Sequence, residues 1–324
     1  MLTSTFGNKF SSDLGILQLM DDLGKYVGKP GYIMLGGGNP SRIPAVETYF
    51  QTALARILED KSRFSDMISA YSGPEGDLRF RKALATFLSN EYGWPITAEN
   101  IVLTNGSQTA FFYLFNLFSG RFADGSFKKI LLPLTPEYIG YGDAGIGDNH
   151  FIAYRSTIDI LEDRLFKYHV DFNAIEVTED IGAICVSRPT NPTGNVLDGD
   201  EIEQLGQLAK AHSIPLIVDN AYGLPFPNII FTDENPTWEP HMIMCMSLSK
   251  LGLPGTRTGI IIASDEVIRK MTGINAVMSL APGNFGPAIA LEAIESGEIK
   301  NLSHNLIRPH YKRKVWHAID ALRE

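Results

Sequence analysis

The stretch IVLTNGSQTAFFYLFNLFSG, residues 101–120, contains a strand, a turn and a helix in immediate succession. IVLT is a short apolar run, which predicts a buried strand. The polar NGS turns the chain, and the apolar residues after it predict a helix. A strand that ends in polar residues and leads into a helix is typical of an α/β sheet.

The same pattern returns along the chain, with amphipathic helices such as EIEQLGQLAKAH, residues 201–212, between several apolar runs. Because these runs are continuously apolar, they predict a mostly parallel sheet covered by helices on both faces. The predicted fold class is therefore α/β. The main predicted strands are residues 101–104, 128–133, 182–187, 214–218 and 242–246, and HFIAYRS and RTGIIIAS are further strand-like runs.

A polar cluster follows each of the five main strands: NGSQ, TPEY, RPTNPTG, DNAY and SLSK, in chain order. In open α/β sheets, ligands bind at the carboxyl ends of the strands. We therefore expect the five clusters to meet in one crevice.

Composition and charge exclude several classes of protein. The chain has 324 residues, 44% of them hydrophobic and 20% charged, which is typical of a globular protein with one large domain or two. The net charge of −9 argues against a nucleic-acid partner. No apolar run approaches the roughly 20 residues that a membrane span requires, and the N-terminus lacks a signal-peptide pattern, so we expect a cytoplasmic protein without a membrane partner.

Metal and thiol chemistry are not expected. Cys185 and Cys245 lie in the apolar runs GAICVS and MIMCMS, and we interpret them as core thiols. Two cysteines form neither a disulfide framework nor a zinc site. The seven histidines show no metal-ligand spacing, and no G-x-S-x-G elbow of a serine hydrolase is present.

The stretch SLSKLGLPGTRTG, residues 247–259, places one lysine among serines, glycines and an arginine. A lysine can bind an aldehyde as an imine, and pyridoxal phosphate is the commonest such aldehyde. Lys250 is the candidate for this bond. The phosphate of that cofactor requires helix N-terminal N–H groups, hydroxyls and an arginine. The candidates for these contacts are Gly106, Ser107, Gln108, Ser247, Ser249 and Arg257.

The ring of this cofactor has further requirements. A buried carboxylate keeps its nitrogen protonated, and Asp219 at the end of IPLIVDN is the candidate. Tyr222 and Asn191 can donate hydrogen bonds to its 3′-oxygen, and Tyr138 can stack on its face. Each of these residues alone has an ordinary interpretation as a turn residue or a half-buried side chain. Their joint occurrence at five strand ends favours the site.

Six segments, in order and spacing, resemble the motifs of class I aminotransferases of fold type I. They are YSGPEGDLRFRKAL (residues 71–84), TNGSQTA, PEYIGY, NPTGN, DNAY and SLSKLGLPGTRTG, and they extend over almost the whole chain. The first of them is similar to the family motif near the dimer interface. Six ordered motifs are far more specific than any one of them.

The resemblance implies a pyridoxal-phosphate enzyme that acts as a homodimer on amino acids and 2-oxo acids. It implies that Tyr71 reaches the phosphate of the partner subunit, and that Gly38 and Asn191 contact the substrate. Lys250, with Asp219 and Tyr222 beside the cofactor, would move the proton between the substrate Cα and the cofactor. This role needs a lysine pKa below the ordinary value of about 10.4, which we ascribe to neighbouring positive charge.

The resemblance also implies a division of the chain. Residues 1–45 form an N-terminal arm and part of a small domain, and residues 46–300 form a large cofactor-binding domain. Residues 301–324 begin the helix that connects to a C-terminal small domain. In the family, the arginine that binds the substrate carboxylate lies in that small domain. Since the sequence ends before this arginine, we expect the small domain to be incomplete in this chain.

The substrates are suggested by a narrower similarity. FGNKFSSDLGILQLMDDLG and LGGGNP are most similar to the branch of the family that passes an amino group between valine and pyruvate, giving 2-oxoisovalerate and alanine by a ping-pong cycle. Three alternatives stay open: an aminotransferase for other amino acids, a carbon–sulfur lyase on the same fold, and a non-catalytic sensor that binds pyridoxal phosphate. The absence of a basic or helix-turn-helix segment before residue 30 argues against the sensor.

Overall fold

The computed structural model describes residues 2–10, 14–35 and 39–323. The described strands are β1 Ile101–Thr104, β2 Gly120–Arg121, β3 Phe127–Leu132, β4 Phe151–Ala153, β5 Thr157–Ile160, β6 Phe166–His169, β7 Ile181–Ser187, β8 Leu216–Asp219, β9 Met242–Ser247 and β10 Gly259–Ile262. The described α-helices are α1 Thr5–Lys9, α2 Gly15–Tyr26, α3 Pro44–Glu59, α4 Lys61–Ser69, α5 Leu78–Tyr92, α6 Ser107–Phe118, α7 Gly199–Ala211, α8 Asp265–Ser279, α9 Phe285–Glu295, α10 Glu298–Asn301 and α11 Arg308–Arg323. A π-helical stretch, Leu302–Ile307, joins α10 to α11.

Eight of the described strands form one mixed sheet in the spatial order β1-β10-β9-β8-β7-β3-β2, with β4 also paired to β3. The pairs from β9 through β8, β7 and β3 to β4 are all parallel. β10 runs antiparallel to both of its neighbours, β9 and β1. The predicted α/β class with a mostly parallel sheet is confirmed.

The reversed direction of β10 decides where the preceding loop lies. Because β1 and β9 both run opposite to β10, the start of β10 lies at the sheet edge where those two strands end. Arg257 and Thr258, which directly precede β10, therefore share this edge with the polar residues that follow the other strands.

The five main predicted strands all form, with their ends moved by at most two residues. The largest shift is at β8, which begins at Leu216 because Ile214 N still donates to Ala209 O at the end of α7. The hairpin of β5 and β6 was not predicted. Its strands pair only with each other, and the residues of β5 are exposed, so no continuous apolar run marks them.

Successive residues of the central strands face two separate cores, as the two-residue period of a strand requires. Leu216 and Val218 of β8 lie in one apolar cluster, and Ile217 between them lies in the other. The first cluster includes residues of α3, α5 and α9, and the second includes residues of α6 and α8. Cys185 and Cys245 are fully buried free thiols in the second cluster, as predicted.

The start of β10 packs tightly against the turn after β1. A methyl group at Gly259 would lie 2.5 Å from Thr104 Oγ1, 2.6 Å from the Gly106 carbonyl carbon and 2.7 Å from Ser107 N. Two of these atoms belong to the backbone, so they cannot rotate out of the way. Only glycine allows the strand to approach so closely.

Replacing Gly259 with alanine is therefore expected to destabilise the protein by about 1–3 kcal/mol, the usual cost of overpacking. Urea unfolding of the purified protein measures this free energy. Gly255→Ala is the matched control, because a methyl group at Gly255 in the same loop meets no atom within 4 Å. An equal loss in both variants would contradict the packing argument.

Candidate active site

The polar clusters at the strand ends come together at one edge of the sheet, as the sequence pattern predicts, and the space that they share is called the crevice. Asn191 Nδ2, after β7, donates to Tyr222 Oη, after β8, at 3.5 Å. Lys250 Nζ, after β9, lies 5.2 Å from the centre of the Tyr222 ring. Tyr138, after β3, is close enough to Tyr222 and Asp219 for their charges to affect its ionisation. Residues distant in sequence thus share one space at the sheet edge.

An anion-binding arrangement lies at the N-terminus of α6. Gly106 precedes this helix with a φ of 94°, which lies in the region that favours glycine. A methyl group at Gly106 would lie 2.1 Å from Arg257 Nη2, so the guanidinium rests directly against this glycine. The first N–H groups of a helix have no partner within the helix, and they carry its positive dipole end. The N–H groups of Ser107 and Gln108 and the Arg257 guanidinium therefore form one positive region.

The two serines before Lys250 differ in their surroundings. Ser247 is 1% exposed, and its hydroxyl oxygen accepts a hydrogen bond from Ser249 N at 3.0 Å. The Ser247 hydroxyl itself points towards Thr258 O, 3.4 Å away. Its bonds stabilise the turn that carries Lys250, whereas Ser249 is only half-buried. Within this crevice, Ser249 has the more accessible hydroxyl of the two.

Asp219 is held by two donors at the end of β8. Tyr141 Oη donates to Asp219 Oδ2 at 2.7 Å, and Ala221 N donates to Oδ1 at 3.0 Å. Burial raises the pKa of the Asp219 carboxyl, while these two hydrogen bonds and the charge of Lys250 lower it. A carboxylate buried in this way is stabilised further by any cation that binds opposite it.

Lys250 lies in a setting that favours its neutral amine. Burial is the largest effect and lowers the pKa of the Lys250 ammonium, and Arg257 lowers it further, while Tyr311 and Asp219 raise it. The lowered pKa expected from the sequence is confirmed in direction. Its expected cause was incomplete, because removal from water contributes more than neighbouring positive charge.

Tyr222 keeps its phenolic proton over the whole neutral range. Burial and the nearby charge of Asp219 raise the pKa of Tyr222 to about 12, against a smaller lowering by the hydrogen bond from Asn191. A protonated phenol donates a hydrogen bond. Tyr222, which lies beside Lys250, and Asn191 thus present two adjacent donor groups.

Three residues of the crevice were missed by sequence reasoning. Glu137 and Tyr141 lie within the quoted motif PEYIGY, but their partners, Ser187 and Asp219, are 50 and 78 positions away in the sequence. Tyr311, at the start of α11, affects the ionisation of Lys250. No motif marks Tyr311, and only the folded chain brings it to the crevice.

Other predicted residues lie apart from this group or outside the described part of the chain. Tyr71, after α4, is 85% exposed. The side chain of Gln108 donates from Nε2 to Gly140 O at 3.0 Å, so it supports the turn that carries Tyr138. Gly38 lies outside the described residues. The neighbouring Ser41 N donates to Tyr311 Oη at 2.8 Å, which anchors the segment after the glycine triplet to α11.

Within the described residues, no cluster of three or more His, Cys, Asp and Glu side chains is placed to hold a metal ion. None of the helices in residues 2–10, 14–35 and 39–323 combines the length and apolar character that crossing a membrane requires.

The protein combines a mixed sheet with a lysine, an aspartate and an arginine at one edge of that sheet. Comparison with known proteins identifies the family that has this arrangement. The model of the family "Aminotransferase class I and II" matches residues 48–324. The chain belongs to this family and is an aminotransferase.

Similar proteins match almost the full length of the chain. The valine–pyruvate aminotransferase of Escherichia coli (strain K12) is 51% identical over 323 residues, covering 100% of this chain and 77% of that protein. A Psychrobacter arcticum 273-4 protein described as an amino-acid aminotransferase has a crystal structure with a TM-score of 0.95 and 48% identity, covering 100% of this chain and 78% of that one. The valine–pyruvate aminotransferase structure from Salmonella typhimurium LT2 has a TM-score of 0.86 and 50% identity, covering 95% and 76%.

The bond from Tyr141 to Asp219 leads to a prediction that needs no ligand. Tyr141→Phe removes a buried donor to a charged acceptor, a loss that typically costs about 1.5–3 kcal/mol. Urea unfolding at neutral pH measures it. Tyr113→Phe, at a buried tyrosine of the same apolar cluster, is the control and is expected to change stability by less. Equal effects would show that the bond to Asp219 contributes nothing specific.

Proposed function

We propose that the chain is a pyridoxal-phosphate-dependent aminotransferase that moves an amino group between valine and pyruvate. The observation that carries this proposal is that Lys250 lies near both the Asp219 carboxylate and Arg257, whose guanidinium rests against Gly106 at the start of α6. The substrates rest on the similarity to the two valine–pyruvate aminotransferases, at 51% and 50% identity. The products are 2-oxoisovalerate and alanine.

The residues of the crevice fit this cofactor. A phosphate matches the helix N-terminus and the guanidinium beside Gly106, and a protonated ring nitrogen matches the buried carboxylate of Asp219. When bound, pyridoxal phosphate supplies an aldehyde that takes up the amino group and a ring that accepts electrons from the broken Cα–H bond. The remaining tasks of the chain are to bind and orient the cofactor and the substrate and to move protons.

Each group has a role that follows from its surroundings. Burial lowers the pKa of the Lys250 ammonium and so favours the neutral amine, which would take the proton from the substrate Cα and give it to the cofactor carbon that receives the amino group. Asp219 stabilises positive charge on the ring nitrogen. Tyr222 and Asn191 would donate hydrogen bonds to the ring oxygen, and Tyr138 would supply an aromatic surface for the ring.

The phosphate contacts come from two elements. The N–H groups of Ser107 and Gln108 at the start of α6 would donate to the phosphate, and the Arg257 guanidinium would add further hydrogen bonds. Ser249 adds a hydroxyl, while Ser247 supports the turn beneath it. This division follows from the burial of the two serines.

The assembly is part of the proposal. Tyr71 is large, aromatic and 85% exposed, which suits a side chain that completes the phosphate site of a partner subunit in a homodimer. Gly38 would meet the substrate carboxylate through its N–H group, and Asn191 would lie against the substrate as well as the ring. The cytoplasm is the proposed location.

The domain division is also proposed. The whole mixed sheet lies within residues 46–300, which supports a large cofactor-binding domain there. Residues 1–45 form the N-terminal arm. Residues 301–324 begin a connecting helix, and the described residues 302–323 are helical without interruption.

The covalent role of Lys250 can be tested directly. After incubation with pyridoxal phosphate and reduction by borohydride, peptide mapping is expected to place the cofactor on the peptide that contains Lys250. Lys250→Ala is expected to lose both this adduct and turnover. Lys270→Ala, at an exposed lysine of α8 paired with Glu266, should keep both. An adduct on another peptide of the wild-type protein would sink the assignment.

The reaction itself is tested with valine and pyruvate. We expect alanine and 2-oxoisovalerate to form in equal amounts. Without pyruvate, oxo acid release should stop after about one equivalent per subunit, because the amino group then stays on the enzyme. Continued oxo acid release without an acceptor would indicate a lyase. Bound cofactor without turnover on any amino acid would indicate a sensor.

A further inference from the structure

One short segment after β3 contacts the ends of two neighbouring strands. Glu137 accepts hydrogen bonds from Ser187 N, at 2.9 Å, and from the Ser187 hydroxyl. Ser187 is the last residue of β7 and pairs in register with Asp219, the last residue of β8. Tyr141, four positions after Glu137, donates to Asp219. Two side chains of this segment therefore hold the two strand ends that carry the carboxylate site.

Glu137 and Asp219 are also electrostatically coupled. Burial is the largest effect and raises the pKa of Glu137 to about 7, the hydrogen bonds from Ser187 lower it, and the charge of Asp219 raises it. The ionisable groups that face Glu137 are Tyr141 on its own segment, Cys185 on β7 and Asp219 on β8. Each of these groups is neutral or negative, so none of them neutralises an ionised Glu137. Two neighbouring buried carboxylates resist ionising together.

We infer that Glu137 is a positioning residue for the ring-nitrogen site, which holds Ser187 beside Asp219 and tunes Asp219 through its own charge. The inference concerns the same site as the proposed function and rests on it where the cofactor is involved. The hydrogen bonds that Glu137 accepts from Ser187 place its carboxyl at the end of β7. Glu137 acts through Asp219.

The protonation state of Glu137 determines how strongly the site stabilises a cation opposite Asp219. With its proton, Glu137 leaves Asp219 as the single negative charge of the pair. Without it, a second negative charge lies nearby, and a cation placed opposite Asp219 is stabilised more strongly. Because the pKa of Glu137 lies near 7, the change falls between mildly acidic and mildly basic pH.

A double-mutant cycle in the cofactor-free protein tests the coupling. The pKa of Glu137 is raised on folding, so its unfavourable contribution grows as pH rises from about 4.5 to about 7 and then stays constant. Glu137→Gln removes it and is expected to raise the urea midpoint at about pH 8 but barely at about pH 5. In an Asp219→Asn background, the gain at about pH 8 should shrink, while the part that comes from burial of Glu137 should remain.

Asp143→Asn is the matched control, because it also removes one carboxylate from this stretch of chain. The Asp143 carboxylate accepts a hydrogen bond from Ile16 N. Its effect on the urea midpoint should be the same in both backgrounds. An undiminished Glu137→Gln gain in the Asp219→Asn background would overturn the inference. The inference would also be overturned if the effect of Asp143→Asn on the urea midpoint changed between the two backgrounds as much as that of Glu137→Gln.

Ser187→Ala tests the contact between Ser187 and Glu137, and this test does not depend on the folding of any variant of the cycle. It keeps both carboxylates and removes one hydrogen bond that lowers the pKa of Glu137. The pH step in stability should therefore persist but move to higher pH. An unmoved step would overturn the positioning role of Glu137, because the Ser187 contact would then not control its ionisation.

Binding of pyridoxal phosphate extends the test to the ring site. The ratio of the dissociation constants of Glu137→Gln and wild type should increase about tenfold from about pH 6 to about pH 8, the factor that one pKa unit of coupling produces. A constant ratio would overturn the tuning role and leave the proposed function intact. If the wild type bound no cofactor, the proposed function would fail, and the double-mutant cycle would still decide whether Glu137 tunes Asp219.

Discussion

The close approach of β10 to the turn after β1 is the contact on which the crevice depends. Gly259 lies against Thr104 and the Gly106–Ser107 backbone at distances that exclude any side chain. The same approach brings the Arg257 guanidinium onto Gly106, at the start of α6. One packing constraint thus joins a helix dipole and a guanidinium into a single positive region. A bulkier residue at either glycine would separate them.

Because the charged groups of the crevice are buried, the ionisation of each of them is sensitive to the charge of a bound ligand. Burial raises the pKa of Asp219 and Glu137 and lowers that of Lys250. Each group is therefore less stable in its charged form than it would be in water. A ligand with a cation on its ring offsets this cost at Asp219. This electrostatic pattern, more than any single contact, supports pyridoxal phosphate as the cofactor.

The hydrogen bonds around Asp219 show how the sheet supports the site. β7 and β8 end side by side, and the segment after β3 connects to both through Glu137 and Tyr141. The side chain of Gln108, from α6, fixes the same segment at Gly140. The positive region at the start of α6 and the carboxylate region around Asp219 are thereby linked through one short turn. A change at either end is expected to affect the geometry of the other.

The sequence by itself determined the fold class, the five main strands and the polar residues that end them, because these depend on local apolar periodicity and turn chemistry. Motif order was enough to single out Lys250, Asp219, Tyr222 and Arg257, which the structure brings to one sheet edge. The direction of β10, the bond from Tyr141 to Asp219 and the pairing of Glu137 with Ser187 were decided only by the tertiary structure. These features join residues tens of positions apart, and local patterns in the chain carry no information about which distant groups will be buried together.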